Sequence, residues 1–65
     1  MTLTLNGEPR SVAAATVAAL VAELRLDVRK VAVERNLEIV PRSLYGATAL
    51  AEGDRLEIVQ FVGGG

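Results

Sequence analysis

Residues 1–24 read MTLTLNGEPRSVAAATVAALVAEL, and their pattern predicts two strands followed by a helix. Threonine and leucine alternate from Met1 to Leu5, which is the period-two pattern of a half-buried strand. Asn6-Gly7 follows, and both residues tolerate the positive φ of a type I′ hairpin turn. A second strand is therefore predicted from Glu8 to Val12. Pro9 cannot donate a ladder hydrogen bond, so we place this strand at an edge of its sheet.

The same stretch continues into an amphipathic helix. Thr16 is a good N-cap because its hydroxyl can accept from a backbone N–H of the first turn. Val17, Leu20, Val21 and Leu24 follow at spacings of three and four, which places them on one helical face. A helix with one apolar face must cover another element, and a sheet is the available partner.

The second half of the chain predicts further strands. Val31 to Glu34 and Ile39-Val40 are short β-type runs, and Asn36 between them suits a left-handed turn. Pro41-Arg42 ends the short strand, one helical turn is expected around Leu44-Tyr45, and Glu52-Gly53-Asp54 forms a tight turn. The last strand runs from Arg55 to Phe61 or Val62. This order predicts an α+β domain, with one helix packed on a mixed sheet of about five strands.

Composition excludes several functions. The 65 residues include no cysteine and no histidine, which removes thiolate chemistry, zinc–thiolate sites and the commonest general base. A net charge of −1 and only two aromatic residues argue against nucleic-acid binding. No apolar stretch is long enough to span a membrane. We therefore expect a cytoplasmic protein that is not an enzyme and has no bound metal.

The last strand predicts a docking surface beside its end. Leu56 and Ile58 share one face, while Val59 and Phe61 share the other. If the first pair joins the core, the second pair points outward, and exposed apolar groups of this size suggest partner binding by Val59, Phe61 and Val62. Alternatively, Phe61 folds back over the sheet edge as ordinary packing.

Three glycines, Gly63-Gly64-Gly65, come directly after this strand. Glycine lacks a Cβ, so such a tail can enter a channel too narrow for other residues, but it adds nothing to the stability of the fold. We expect the Gly65 carboxylate to be the working group, with Gly63 and Gly64 providing its passage. A linker or tag remnant is the alternative explanation of the glycines.

Several stretches together resemble a known family. They are Asn6-Gly7, VAVERNLEIVPRS at residues 31–43, Tyr45, Glu52-Gly53-Asp54, and Val62 with the glycines after it. The chain resembles the ubiquitin-like, β-grasp sulfur carriers of the ThiS/MoaD family, and most of all their thiamine-pathway branch. The resemblance covers essentially the whole chain. It implies a β-grasp domain over residues 1–62 and a tail over residues 63–65.

The resemblance also implies a chemical cycle and its partners. An E1-like activating enzyme, ThiF, would use ATP and magnesium to adenylate Gly65. Sulfur that originates from cysteine through a desulfurase would then give a thiocarboxylate, which thiazole synthase, ThiG, would use to build the thiazole ring. The carrier itself would bind no cofactor and would be a monomer when free.

Other functions remain open at this point. The small subunit of molybdopterin synthase has the same fold and also carries sulfur as a thiocarboxylate, although its chains are typically longer. A lysine-conjugated modifier, an RNA-binding β-grasp module and an interaction module with an inert tail are further alternatives. One departure from the family is Leu37, where glycine is common after Asn36. Leucine is poorer than glycine at positive φ, so we expect a turn that is wider or shifted by one residue.

Overall fold

The computed structural model describes residues 1–62, which form a mixed β-sheet covered on one face by a helix. Its strands are β1 (Thr2–Leu5), β2 (Glu8–Ser11), β3 (Val31–Arg35), β4 (Glu38–Val40) and β5 (Arg55–Gln60), and its helix is α1 (Val17–Glu23). Short 3₁₀ turns occupy Val28–Lys30 and Arg42–Leu44. The α+β prediction is confirmed.

The strands lie in the order β2-β1-β5-β3-β4. Strand β5 therefore lies in the middle of the sheet, parallel to β1 and antiparallel to β3. Strand β2 lies at one edge, as Pro9 predicts. The first hairpin turns at Asn6 and Gly7, whose φ values of 51° and 85° fit the predicted type I′ turn.

Helix α1 begins as the sequence predicts. Thr16 Oγ1 accepts a hydrogen bond from Ala19 N–H at 3.1 Å. Val17, Leu20 and Val21 are buried against the sheet, and Leu24 is half-buried beside them. The other large side chains of the core that are almost fully buried are Leu3, Val31, Val33 and Leu56.

The β3–β4 turn differs from the prediction. It is neither wider nor shifted, because Arg35 pairs directly with Glu38 and leaves Asn36 and Leu37 as a two-residue loop. Both loop residues are left-handed, with φ values of 52° and 70°. Leu37 therefore adopts a conformation that favours glycine, and the prediction of a wider or shifted turn was wrong.

No helix of residues 1–62 combines the length and the apolar character that crossing a membrane requires.

Candidate functional site: the outer face of the sheet

The side of the sheet away from α1, which we call the outer face, carries exposed apolar side chains next to the end of β5. Leu56 and Ile58 point into the core, so Val59 and Phe61 point outward, as expected. These two residues are 59% and 54% exposed, and Val62 is 96% exposed. Phe61 does not fold back over the edge of the sheet. The exposure on which the predicted docking surface depends is therefore present, and partner binding by these residues stays a prediction.

Backbone hydrogen bonding carries the β3–β5 pairing beyond the last residue of β5. Phe61 N–H donates to the carbonyl of Lys30 at 2.7 Å. The direction of the chain is therefore fixed up to Phe61, and Val62 is the last residue the structure describes. Gly63, Gly64 and Gly65 lie outside the described residues, so their role as passage and working group stays a prediction.

Asn6, directly after β1, holds β5 in place from the side opposite β3. Its Oδ1 accepts from Ile58 N–H at 2.9 Å, and its Nδ2 donates to the Ile58 carbonyl at 3.2 Å. The β1–β5 pairs include only Thr4 with Arg55 and Leu5 with Leu56, so this amide extends the connection past the end of β1. Sequence reasoning assigned Asn6 to the turn alone. An asparagine at the end of a strand, able to mimic a peptide group, was the available signal.

A buried carboxylate fixes the start of β5. Asp54 is 6% exposed, and it accepts hydrogen bonds from Ala51 N–H at 2.8 Å, from Arg35 Nε at 2.8 Å and from Asn36 Nδ2 at 3.1 Å. Asn36 also exchanges hydrogen bonds with the backbone of Arg55. These contacts tie the β3–β4 turn to β5, which explains why a left-handed Asn36 is required there.

The hydrogen bonds of Asp54 also set its ionisation. Burial alone would raise the pKa of this carboxyl group, but the hydrogen bonds from Ala51, Arg35 and Asn36 outweigh burial and lower the pKa below its ordinary value. Asp54 is therefore a charged structural anchor at neutral pH. Sequence reasoning missed this role because it treated Glu52-Gly53-Asp54 only as a turn.

Within residues 1–62, no group of three or more Asp or Glu side chains is placed to hold a metal ion. Polar atoms of buried side chains in the same range all have hydrogen-bond partners. The outer face carries exposed apolar side chains beside the end of β5.

The mixed sheet and its covering helix define a ubiquitin-like, β-grasp domain. A family model described as the ThiS family matches residues 3–65, and the chain belongs to this family. A crystal structure of the thiamine biosynthesis protein ThiS from Geobacter metallireducens superposes with a TM-score of 0.83. It is 38% identical, and the match covers 100% of both chains.

Curated relatives carry two kinds of name. A protein named thiazole synthase from Paramagnetospirillum magneticum is 61% identical over 66 aligned residues, and another from Magnetococcus marinus is 47% identical. The chain is covered completely in both matches but spans only 20% of the length of each relative. The sulfur carrier protein ThiS from Bacillus subtilis is 44% identical over 50 residues, which cover 77% of this chain and 76% of that protein.

Proposed function

We propose that the chain is a sulfur carrier in thiamine biosynthesis and that the carboxylate of Gly65 carries the sulfur. The observation that supports this most strongly is the family match, which runs through the glycines to residue 65. The exposed Val59, Phe61 and Val62 lie directly before those glycines and provide a docking surface for the enzymes that act on the tail. The names of the relatives, thiazole synthase, sulfur carrier protein ThiS and thiamine biosynthesis protein, favour this branch over a molybdopterin role.

Activation is the first chemical step of the proposed cycle. A carboxylate is a poor electrophile, so an oxygen of Gly65 attacks the α-phosphorus of ATP on the activating enzyme and pyrophosphate leaves. The product is an acyl-adenylate, whose AMP is a good leaving group. This step is carried out by an E1-like partner of the ThiF type with ATP and magnesium, and the carrier supplies only the substrate group.

Sulfur transfer follows activation. The terminal sulfur of a persulfide, which a desulfurase forms from cysteine, attacks the carbonyl carbon, and AMP departs with one oxygen to leave an acyl disulfide. A thiol then cleaves the S–S bond of this acyl disulfide, forms a new disulfide itself and releases the thiocarboxylate. The resulting thiocarboxylate is an anionic sulfur nucleophile at neutral pH, as thiolates are when their pKa is low. Thiazole synthase is the proposed acceptor, and two relatives with that name contain a segment similar to this whole chain.

The glycines make the chemistry accessible to a closed active site. Residues without a Cβ allow Gly65 to reach a narrow site from which water is excluded, and exclusion of water protects the adenylate from hydrolysis. The core of the domain takes no part in the reaction. Its role is to present the outer face beside the end of β5, whose position the contacts of Asn6 and Asp54 with the β5 region maintain.

The proposal is tested by trapping the thiocarboxylate. The chain is incubated with ATP, magnesium, the activating enzyme and a sulfur source, and is then treated with iodoacetamide. Because the sequence contains no cysteine, rapid alkylation that maps to Gly65 identifies the thiocarboxylate. Absence of an adduct, with an enzyme that activates a control carrier, would contradict the proposal.

A further inference from the structure

Two glutamates face each other across the centre of the outer face. Glu34 of β3 pairs directly with Glu57 of β5. In an antiparallel ladder, hydrogen-bonded pairs alternate with pairs that are not hydrogen-bonded. Phe61 N–H donates to the Lys30 carbonyl and Asn36 N–H to the Arg55 carbonyl, so Glu34 and Glu57 form a hydrogen-bonded pair by this alternation. The two Cα atoms of such a pair lie about 5.5 Å apart, with both side chains on the same side of the sheet. Like charges in this arrangement destabilise a sheet.

Cations of the domain do not neutralise this pair. Among residues 1–62, the ion pairs are Arg29 with Asp27 and Arg35 with Asp54, and neither Glu34 nor Glu57 takes part in one. Arg55 lies on the same face two residues before Glu57, but not within ion-pair distance. The domain thus keeps a locally unfavourable arrangement, and such departures are expected at functional surfaces.

Apolar groups surround the two carboxylates. A shallow groove on this face is lined by Asn6, Ala32, Val33, Glu34, Ile39, Glu57 and Val59. Ile39 pairs with Glu34 on one side and is 77% exposed. Ala32 pairs with Val59 two residues further along the strands, on the same face of the sheet. A partner that covers this groove would remove water from around the carboxylates, and two buried negative charges without a counter-ion are costly.

We propose that the groove binds a protein surface that presents an arginine flanked by aliphatic side chains, with the guanidinium placed between Glu34 and Glu57. Arginine fits because its planar fork offers several donors and can serve two carboxylates at once. The aliphatic neighbours would cover Ile39 and Val59. This inference rests on the proposed function, since it takes thiazole synthase to be the partner that carries the arginine.

The test is the affinity of the intact chain for purified thiazole synthase, measured by isothermal titration calorimetry at low and high salt. Glu57→Gln should weaken binding about tenfold, and Glu57→Lys should weaken it further. Added salt should weaken wild-type binding more than binding by Glu57→Gln. Glu8→Gln is the matched control, because Glu8 is an exposed acid on the edge strand β2, and it should bind as the wild type does.

A thermal melt separates recognition from folding. Removing one of two facing like charges should leave the melting temperature unchanged or raise it, so the loss of affinity should occur without a loss of stability. Equal affinity of Glu57→Gln, Glu34→Gln and wild type at both salt concentrations would overturn the arginine assignment while leaving the carrier function intact. Failure of the wild type itself to bind thiazole synthase would overturn both the assignment and this step of the proposed cycle.

Discussion

Because Leu37 has a left-handed conformation, we predict that glycine at this position gives a more stable protein than alanine, the reverse of the usual order. The φ of Leu37 is 70°, and its side chain contributes little to the core because the residue is 69% exposed. A residue with a Cβ loses about 1–2 kcal/mol in this conformation relative to glycine. Glycine loses about 0.4–1 kcal/mol more chain entropy than alanine on folding. The backbone strain of alanine therefore exceeds the extra chain entropy that glycine loses on folding, and Leu37→Gly should be more stable than Leu37→Ala by about 0.5–1 kcal/mol.

Comparing these two variants isolates the backbone effect, because both lose the same leucine contacts and only one keeps a Cβ. Urea denaturation gives the free energies, and a thermal melt should show Leu37→Gly melting about 2–8 °C above Leu37→Ala. Gly46→Ala is the control, because there we expect alanine to be at least as stable as glycine. Gly46 is not left-handed and has open space around its Cβ position, so alanine should be neutral or stabilising there. If Leu37→Ala is as stable as Leu37→Gly, the strain argument fails.

Three further predictions concern the anchor, the docking surface and the tail. Because the pKa of Asp54 is lowered in the fold, its contribution to stability should be complete above about pH 4 and lost as pH falls through the folded pKa. Asp54→Asn should reduce that acid dependence in urea melts at pH 2–7, and an unchanged dependence would exclude this group as its source. Phe61→Asp should weaken partner binding with little change in melting temperature, whereas a large drop would place Phe61 in the core. Gly64→Val should keep the fold but abolish adenylation, and normal pyrophosphate exchange would exclude a narrow channel.

Local patterns of the sequence predicted most of the fold. The Asn6-Gly7 turn, the Thr16 cap and the alternation around Ile58 each depend on a few neighbouring residues, and each is confirmed. Their chemistry leaves few alternatives, because positive φ, capping and strand period select particular residue types.

Contacts between distant residues could not be predicted in the same way. The amide of Asn6 meets Ile58 across 52 positions, and Asp54 meets Arg35 across 19. Such partners are known only after the strand order is known. The turn at Leu37 was mispredicted because local preference favours glycine there, whereas the Asn36–Arg55 bonds and the strand pairing impose a two-residue loop. Tertiary contacts outweigh about 1–2 kcal/mol of local strain.

In the candidate site, too, local features could be predicted from the sequence, and contacts between distant residues could not. Exposure of Val59 and Phe61 followed from strand period once Leu56 and Ile58 were assigned to the core, and the structure confirms it. Glu34 and Glu57 lie opposite each other because of the register of β3 against β5. The two strands come from separate regions of the sequence, and neither region alone reveals that register. Register is set by the whole sheet, so the charge arrangement of the outer face became visible only in the structure.

The most direct test of the central claim is the chemical state of Gly65 after activation. The alkylated chain is digested, and the peptide that ends at Gly65 is examined by tandem mass spectrometry, so that oxidation of Met1 cannot be mistaken for the exchange of one oxygen for sulfur. We predict an alkylated thiocarboxylate on Gly65 that requires ATP and disappears when thiazole synthase and its remaining substrates are added. An unmodified carboxylate on Gly65, under conditions in which the same enzymes load a control carrier, would contradict this prediction.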